Sequence, residues 1–260
     1  MSLLDRLSIM HHTFLHVNAT DYFCMKTVSI HQPHYLIWLG LLDKIAKSDL
    51  FVLLDNVQYK KRYFQNRTRY STKTGVKLLS LPVKCKHVQT HKTAIKNISL
   101  ADDSALKKHL TTLKHRYGKT PGWKLLKDQL YDIYTKDHLN LVSINHDLLN
   151  LTLSSYQITT PVINASDLNV SGQKSDLILS ILKEVKADHY LSGKGAKSYM
   201  EDTLFTEANI NVSYQDFIHP TYNQKVNFSF SSACFALEWF FIDPEAAINH
   251  FQPIINQRHY

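Results

Sequence analysis

Glycine and proline are scarce, with seven of each in 260 residues. A chain so poor in breakers is not linker-rich, collagen-like or low in complexity, and no repeat recurs at solenoid spacing. No run approaches the roughly eighteen uninterrupted apolar residues that a membrane helix needs. Asp5, Arg6 and the His11-His12 pair interrupt the N-terminal apolar stretch before it reaches signal-peptide length, so a cytoplasmic protein is expected. Cys24, Cys85 and Cys234 are odd in number and far apart, which excludes a disulfide framework and offers no four-ligand zinc spacing. Also missing are G-x-S-x-G, H-E-x-x-H and a G-x-G-x-x-G after the first strand. These absences remove the usual entry points to serine hydrolases, zinc peptidases and dinucleotide-dependent oxidoreductases.

What is present is a core and a localised charge. With 44% hydrophobic residues the chain can bury a substantial interior, as one large domain or two small ones. The net charge of +8 belongs to one segment. From Asn56 to Leu100 there are eleven Lys or Arg and no Asp or Glu, leaving 19 basic against 22 acidic groups elsewhere. Within that segment KKRYFQNRTR interleaves cations with Tyr63 and Phe64. Such a patch concentrates anions: a phosphorylated small molecule first, with nucleic acid as the alternative partner.

The stretch KTVSIHQPHYLIWLGLLDKIAKSDLFVLLDNVQY places short apolar runs at Lys26–Ile30 and Leu50–Leu54 around an amphipathic segment, Leu36–Lys47. A strand, helix, strand unit of this length makes the strands parallel. His31 and Asp55 then leave their carboxyl ends toward one crevice, where open α/β sheets bind ligands. Residues 101–157 read as mostly helical, a scaffold or a cap over substrate. Strand and helix texture returns with Pro161–Ile163, Ser175–Lys186, His189–Met200 and INVSYQDF. The expected fold is a three-layer α/β domain with a mainly parallel sheet, flanking helices and a helical insertion.

His31 and His34, with Asp55 and His219, are the catalytic candidates. The imidazoles suit charge that develops during phosphoryl or nucleotidyl transfer, and the turn is similar to the paired-histidine turn of nucleotidyl-transferring α/β enzymes. Asp55 follows four apolar strand residues, so it reaches the crevice rim or is buried at a cost; a base or a hydroxyl contact is its expected role. Arg67 offers a planar fork for phosphate, beside Asn66. Gln32, Tyr35, Gln58 and Tyr59 are candidate substrate contacts, although an aromatic at Tyr35 or Trp38 is more often core. The Gly-Lys-Gly loop supplies Ser192, Gly193, Lys194 and Tyr199, with backbone N–H groups at a helix start for a phosphate. HPTYNQ adds His219, Tyr222 and Gln224. Cys85, between two lysines, is a conceivable acyl-carrying thiolate. No metal site is assigned, and the donor, ATP or a nucleotide-linked group, is left open.

Together IHQPHYLIWLG, SDLFVLLDNVQY, the NRTR region with LLSLPV, HYLSGKGAKSYM and YQDFIHPTYNQ resemble the WbqC-like protein family over about Lys26 to Ala247. Family members usually carry proline before the tryptophan of the first motif, where this chain has Ile37. Residues 1–24 lie outside the resemblance, and Met25 is a second candidate start. The resemblance implies a bacterial enzyme of O-antigen and lipopolysaccharide biosynthesis that transfers an aminoacyl or acyl group to an amino sugar carried on a nucleotide. Alternatives are a nucleotidyl-transferring or adenylate-forming enzyme and a nucleic-acid-binding module.

Overall fold

The computed structural model describes residues 25–84, 92–102, 104–198, 200–224, 226, 230–232 and 234–257. Cys24, Cys85 and Tyr199 therefore fall outside the described residues. Alternation of apolar residues builds the sheet first. In β2 (Leu50–Leu53), Leu50 and Val52 enter one core while Phe51 and Leu53 enter the other, as the two-residue period of a strand covered on both faces requires. Val28 and Ile30 of β1 (Thr27–His31) join Leu50 and Val52.

β1 pairs in parallel with β2, Val28 opposite Leu50 and His31 opposite Leu53. Their crossover is helix α1 (Leu39–Ala46), all of whose residues are buried. An antiparallel hairpin follows, β3 (Arg67–Thr72) and β4 (Gly75–Ser80). Helices α2 (Ser104–Tyr117), α3 (Pro121–Thr135) and α4 (Leu141–Ser155) fill the middle of the chain. The sheet resumes with β5 (Val162–Asn164), α5 (Lys174–Glu184), β6 (His189–Ser192), α6 (Asp202–Glu207) and β7 (Asn211–Tyr214). Helices α7 (Ala236–Ile242) and α8 (Pro244–Gln257) end the described chain.

The five-stranded sheet has the order β5-β2-β1-β6-β7 and is parallel throughout. The first described strand, β1, lies at the centre; the chain then builds outward to β5 and returns to build the other half. Its order reverses between β1 and β6, the place where a crevice opens beyond the strand ends. One core lies between the sheet and α1–α4, α7 and α8, the other between the sheet and α5 and α6, which gives three layers. Close packing needs glycine at one helix contact: a Cβ on Gly122 would stand 2.0 Å from the Phe240 carbonyl oxygen. Among the described residues no helix is long and apolar enough to cross a membrane.

Two expected features take a different form. The hairpin β3–β4 escapes the sequence pattern because the buried positions of β3, Thr68 opposite Leu79 and Ser71 opposite Val76, are polar and fall on opposite faces. The Gly-Lys-Gly loop does not open a helix: Lys194–Ala196 is one 3-10 turn, and α6 begins only at Asp202. No helix N-terminus therefore faces a phosphate from that loop.

Candidate functional site

At the reversal point lies a cavity of about 900 Å³. His31 and Gln32 reach it from the end of β1, Ser192, Gly193 and Lys194 from the end of β6, and Gln215, Phe217 and His219 from the chain beyond β7. Lys174 and Ser175 enter from the start of α5, and Lys60 from the basic segment. Among the described residues no aspartate or glutamate lines it, whereas four lysines do: Lys44, Lys60, Lys174 and Lys194. A cavity with fixed cations and no carboxylates holds a positive potential that its low-dielectric walls strengthen.

Lys44 is the residue that sequence reasoning missed. It lies on α1, one turn beyond Gly40, and is only 2% exposed. Its Nζ donates to the Ile30 carbonyl oxygen at 2.9 Å. Burial lowers its pKa from 10.5 to about 7, because an ammonium is costly to remove from water. A helical lysine is ordinarily solvated; the available signal was Gly40 and Lys44, four apart and so on one helix face, directly after a turn crowded with polar rings.

His31 is half-buried, and its Nδ1 lies 2.8 Å from the Gln32 carbonyl oxygen. A carbonyl can only accept, so Nδ1 carries the proton and Nε2 keeps its lone pair. Burial, with the neighbouring His34 and Lys44, holds its pKa well below the usual histidine value. Burial, with Lys44, takes His34 down to about 3. Both rings are thus neutral at neutral pH, and the cation of this cluster is Lys44. The imidazoles expected to meet developing phosphate charge therefore stand there as neutral rings and not as cations. His219 also lines the cavity; its Nδ1–H donates to the Pro220 carbonyl at 2.8 Å, and burial again lowers its pKa.

Gln215 anchors the wall. Its backbone N–H donates to the Ser192 carbonyl at 2.8 Å. Its Nε2 donates to the Gly40 carbonyl at 2.7 Å and to Asp43 Oδ2 at 2.6 Å. The end of β7 is thereby tied to β6 and α1. Trp38 caps α1 and is 40% exposed beside the cavity rather than buried in the core.

Other candidates are placed elsewhere. Asp55 does not line the cavity. Its carboxylate accepts from Ser166 N–H at 2.9 Å and Ser166 Oγ–H at 2.7 Å, which locks the turn after β5. It is a buried structural acceptor, because the chain beyond β2 turns it toward β5 and away from β6. Tyr35 is core: its hydroxyl meets His109 Nδ1 at 2.8 Å and the Tyr134 hydroxyl at 2.6 Å. Tyr59 is buried in the larger core, and Gln58 is exposed in a backbone bridge with Ala94. Asn66 Nδ2 donates to the Leu81 carbonyl at 2.7 Å, and the Arg67 guanidinium donates to the Arg62 carbonyl. Neither lines the cavity; the fork expected of Arg67 serves its own loop.

Tyr222 and Gln224 belong to a buried knot around Glu238. That carboxylate accepts from Ser71 N–H at 2.9 Å, from the Tyr117 hydroxyl, and from Gln224 Nε2 at 3.1 Å. Tyr222 stacks on Trp239 with ring centroids 5.2 Å apart. The knot joins the hairpin to α2 and α7, so these two residues stabilise the fold. Cys234 is a buried free thiol whose pKa is pushed up by burial. Among the described residues, no cluster of His, Cys, Asp or Glu is arranged to hold a metal ion.

Comparison with known proteins agrees with this arrangement of motifs. The chain is 32% identical over 197 residues to Uncharacterized protein Rv1507c of Mycobacterium tuberculosis (strain ATCC 25618 / H37Rv), covering 74% of this chain and 83% of the relative. No solved structure matches it significantly. The model of the WbqC-like protein family matches residues 32–250, from the furnished turn after β1 through the first half of α8. The chain belongs to the WbqC-like protein family.

Proposed function

We propose that the protein is a transferase that binds a nucleotide-linked amino sugar in the large cavity and adds an acyl or aminoacyl group to it, in the synthesis of a bacterial surface polysaccharide such as O-antigen. The observation that carries this reading is the lining of the cavity among the described residues: four lysines, two histidines and no carboxylate at the strand-order reversal. A diphosphate is the ligand part that such a lining favours. Lys60, Lys174 and Lys194 hold it by charge, and the volume of about 900 Å³ suits a nucleotide sugar.

In this reading His31 is the base. Its Nδ1–H is committed to Gln32, so Nε2 accepts a proton as the sugar amine forms its N–C bond to the carbonyl carbon of an activated acyl donor. The bond from that carbon to the donor heteroatom breaks. The heteroatom leaves with the electron pair and takes up the proton from His31. A base that is neutral at working pH is free to accept this proton.

Thermal denaturation with uridine- and thymidine-diphosphate amino sugars tests the reading. Ligand at one hundred times its dissociation constant stabilises by about 2.7 kcal/mol. Saturable stabilisation that Lys194→Ala weakens is expected. Binding of nucleic acid with a steep salt dependence, without stabilisation by any nucleotide sugar, would overturn it in favour of a polyanion-binding module.

A further inference from the structure

Behind the histidine pair lies a second chamber, of about 310 Å³. His31, Trp38 and Tyr63 line both spaces, so they form a shared wall. His34, Phe64 and Arg69 line only the smaller one. Its character differs from that of the large cavity. Aromatic rings make the walls: His34 meets Tyr63 at 5.5 Å and Phe64 at 5.9 Å between ring centroids. Arg69, an exposed residue, sets its guanidinium carbon 5.3 Å from the Phe64 ring centroid. Among the described residues no aspartate or glutamate lines this chamber either.

Two further observations mark it as a built site. His34 is only 7% exposed, yet its Nε2 has no hydrogen-bond partner among the described residues. A buried polar atom left so is costly unless something else serves it. Leu36, also on the wall, is held at φ +50°, a region disfavoured for branched side chains and found where surroundings impose it. Its carbonyl accepts from Thr68 Oγ1–H at 3.1 Å, which fixes the strained turn against the hairpin.

We propose that this chamber binds a small organic carboxylate with an apolar or aromatic body, and that it selects such an acid over the corresponding amino acid. The carboxylate faces Arg69, the apolar body lies against Tyr63 and Phe64, and His34 Nε2 meets a polar atom of the ligand. An α-ammonium would be brought beside a guanidinium with no carboxylate among the described lining residues to balance it, a repulsion that disfavours the amino acid. The inference rests on the reading of the large cavity as the sugar nucleotide site only in naming the group transferred, acyl rather than aminoacyl; the free acid bound here is the unactivated form of that group, and the transfer itself still runs from the activated donor described above. Binding itself is independent of that reading.

The test uses 3-phenylpropanoate and L-phenylalanine, equal in carbon frame and different in the ammonium, titrated against the full chain by ligand-observed NMR. Saturable binding of 3-phenylpropanoate is expected, with L-phenylalanine weaker by tenfold or more and with Arg69→Gln weakening the acid by roughly tenfold. Arg69 is exposed, so the variant should fold, with an unchanged melting temperature as the control. Absence of saturable binding by the acid, equal binding by the folded Arg69→Gln protein, or tighter binding of L-phenylalanine would overturn the proposal. Titration of the same samples with uridine diphosphate reads the large cavity separately. Loss of nucleotide binding with retained acid binding sinks the sugar nucleotide reading alone, and the reverse pattern sinks this one alone.

Discussion

The rings of His31 and His34 meet edge to face, with centroids 4.5 Å apart and planes at 87°. Two imidazoles so close, with Lys44 beside them, cannot all carry protons, and burial makes each charge costlier. The cluster is therefore a store of proton-linked energy, and three of its consequences are measurable.

The first concerns acid. The His34 ring stays unprotonated in the folded protein until about pH 3, whereas its ordinary value is 6.5. Between these values the unfolded chain binds the extra proton, so stability falls as pH falls through that window. By pH 5 the loss from His34 is about 2 kcal/mol. Urea midpoints at pH 7 and pH 5 should show this loss in the parent and less of it in His34→Phe. Equal pH dependence in both would show that the imidazole is not held neutral.

Lys44 acts in a higher window. Its folded pKa is about 7 against an ordinary 10.5. The unfolded chain holds the extra proton between those values, so stability rises with pH there, by up to about 1.4 kcal/mol per pH unit. Lys44→Met removes the desolvation cost and should be more stable than the parent at pH 7, with a flatter profile from pH 7 to pH 10. A less stable variant at pH 7 would contradict the assigned cost.

Anion binding gives the third consequence. A diphosphate favours charged Lys44, so binding takes up a proton, and affinity should decline above pH 7 as free Lys44 loses its charge, by at most tenfold per unit. Calorimetry in buffers of different ionisation enthalpy measures the uptake. Lys44→Met should bind more weakly at pH 7 and show no such decline; the same proton uptake in the variant would assign the linkage to another group.

Gly40 tests the cavity wall. A Cβ there would stand 2.1 Å from Trp38 Cη2, so the indole must leave its place against Phe217, where the ring centroids are 5.7 Å apart. Helix propensity alone would favour Gly40→Ala by up to about 1 kcal/mol. The expected outcome is instead a red-shifted tryptophan emission and weakened ligand binding, since Trp123 and Trp239 are buried and Trp38 is not. Unchanged emission and affinity would show that the wall tolerates the methyl group.

Asp55 and His31 separate structure from function. Asp55→Ala leaves two Ser166 donors unserved and should cost about 1–3 kcal/mol of stability, with nucleotide sugar affinity retained in the folded fraction. His31→Ala should do the opposite, with a small change in stability and loss of turnover. Turnover lost in a fully folded Asp55→Ala protein would return that carboxylate to the active site.

Much of the parallel sheet was legible because its signals are local. Apolar runs at Lys26–Ile30 and Leu50–Leu54, an amphipathic crossover between them, and the returning pattern after 161 each declare a period that one stretch of chain can satisfy by itself. The turn at His31 could be recognised for the same reason: polar rings exceed what a turn needs. His31, Ser192, Gly193, Lys194 and His219 do line one cavity. The hairpin was illegible because the buried positions of β3, Thr68 and Ser71, are polar and three apart, and the partners of Ser71, Arg116 and Glu238, lie 45 and 167 residues away.

What the amino-acid sequence determined was which residues leave the carboxyl ends of the strands, and hence which can meet at the reversal of strand order. Only the tertiary structure decided direction and environment. It turned Asp55 to Ser166 and Arg67 to its own loop, and it buried Lys44 against the Ile30 carbonyl. Orientation depends on distant partners, and a pKa on how much water the whole fold removes, neither of which a local pattern encodes.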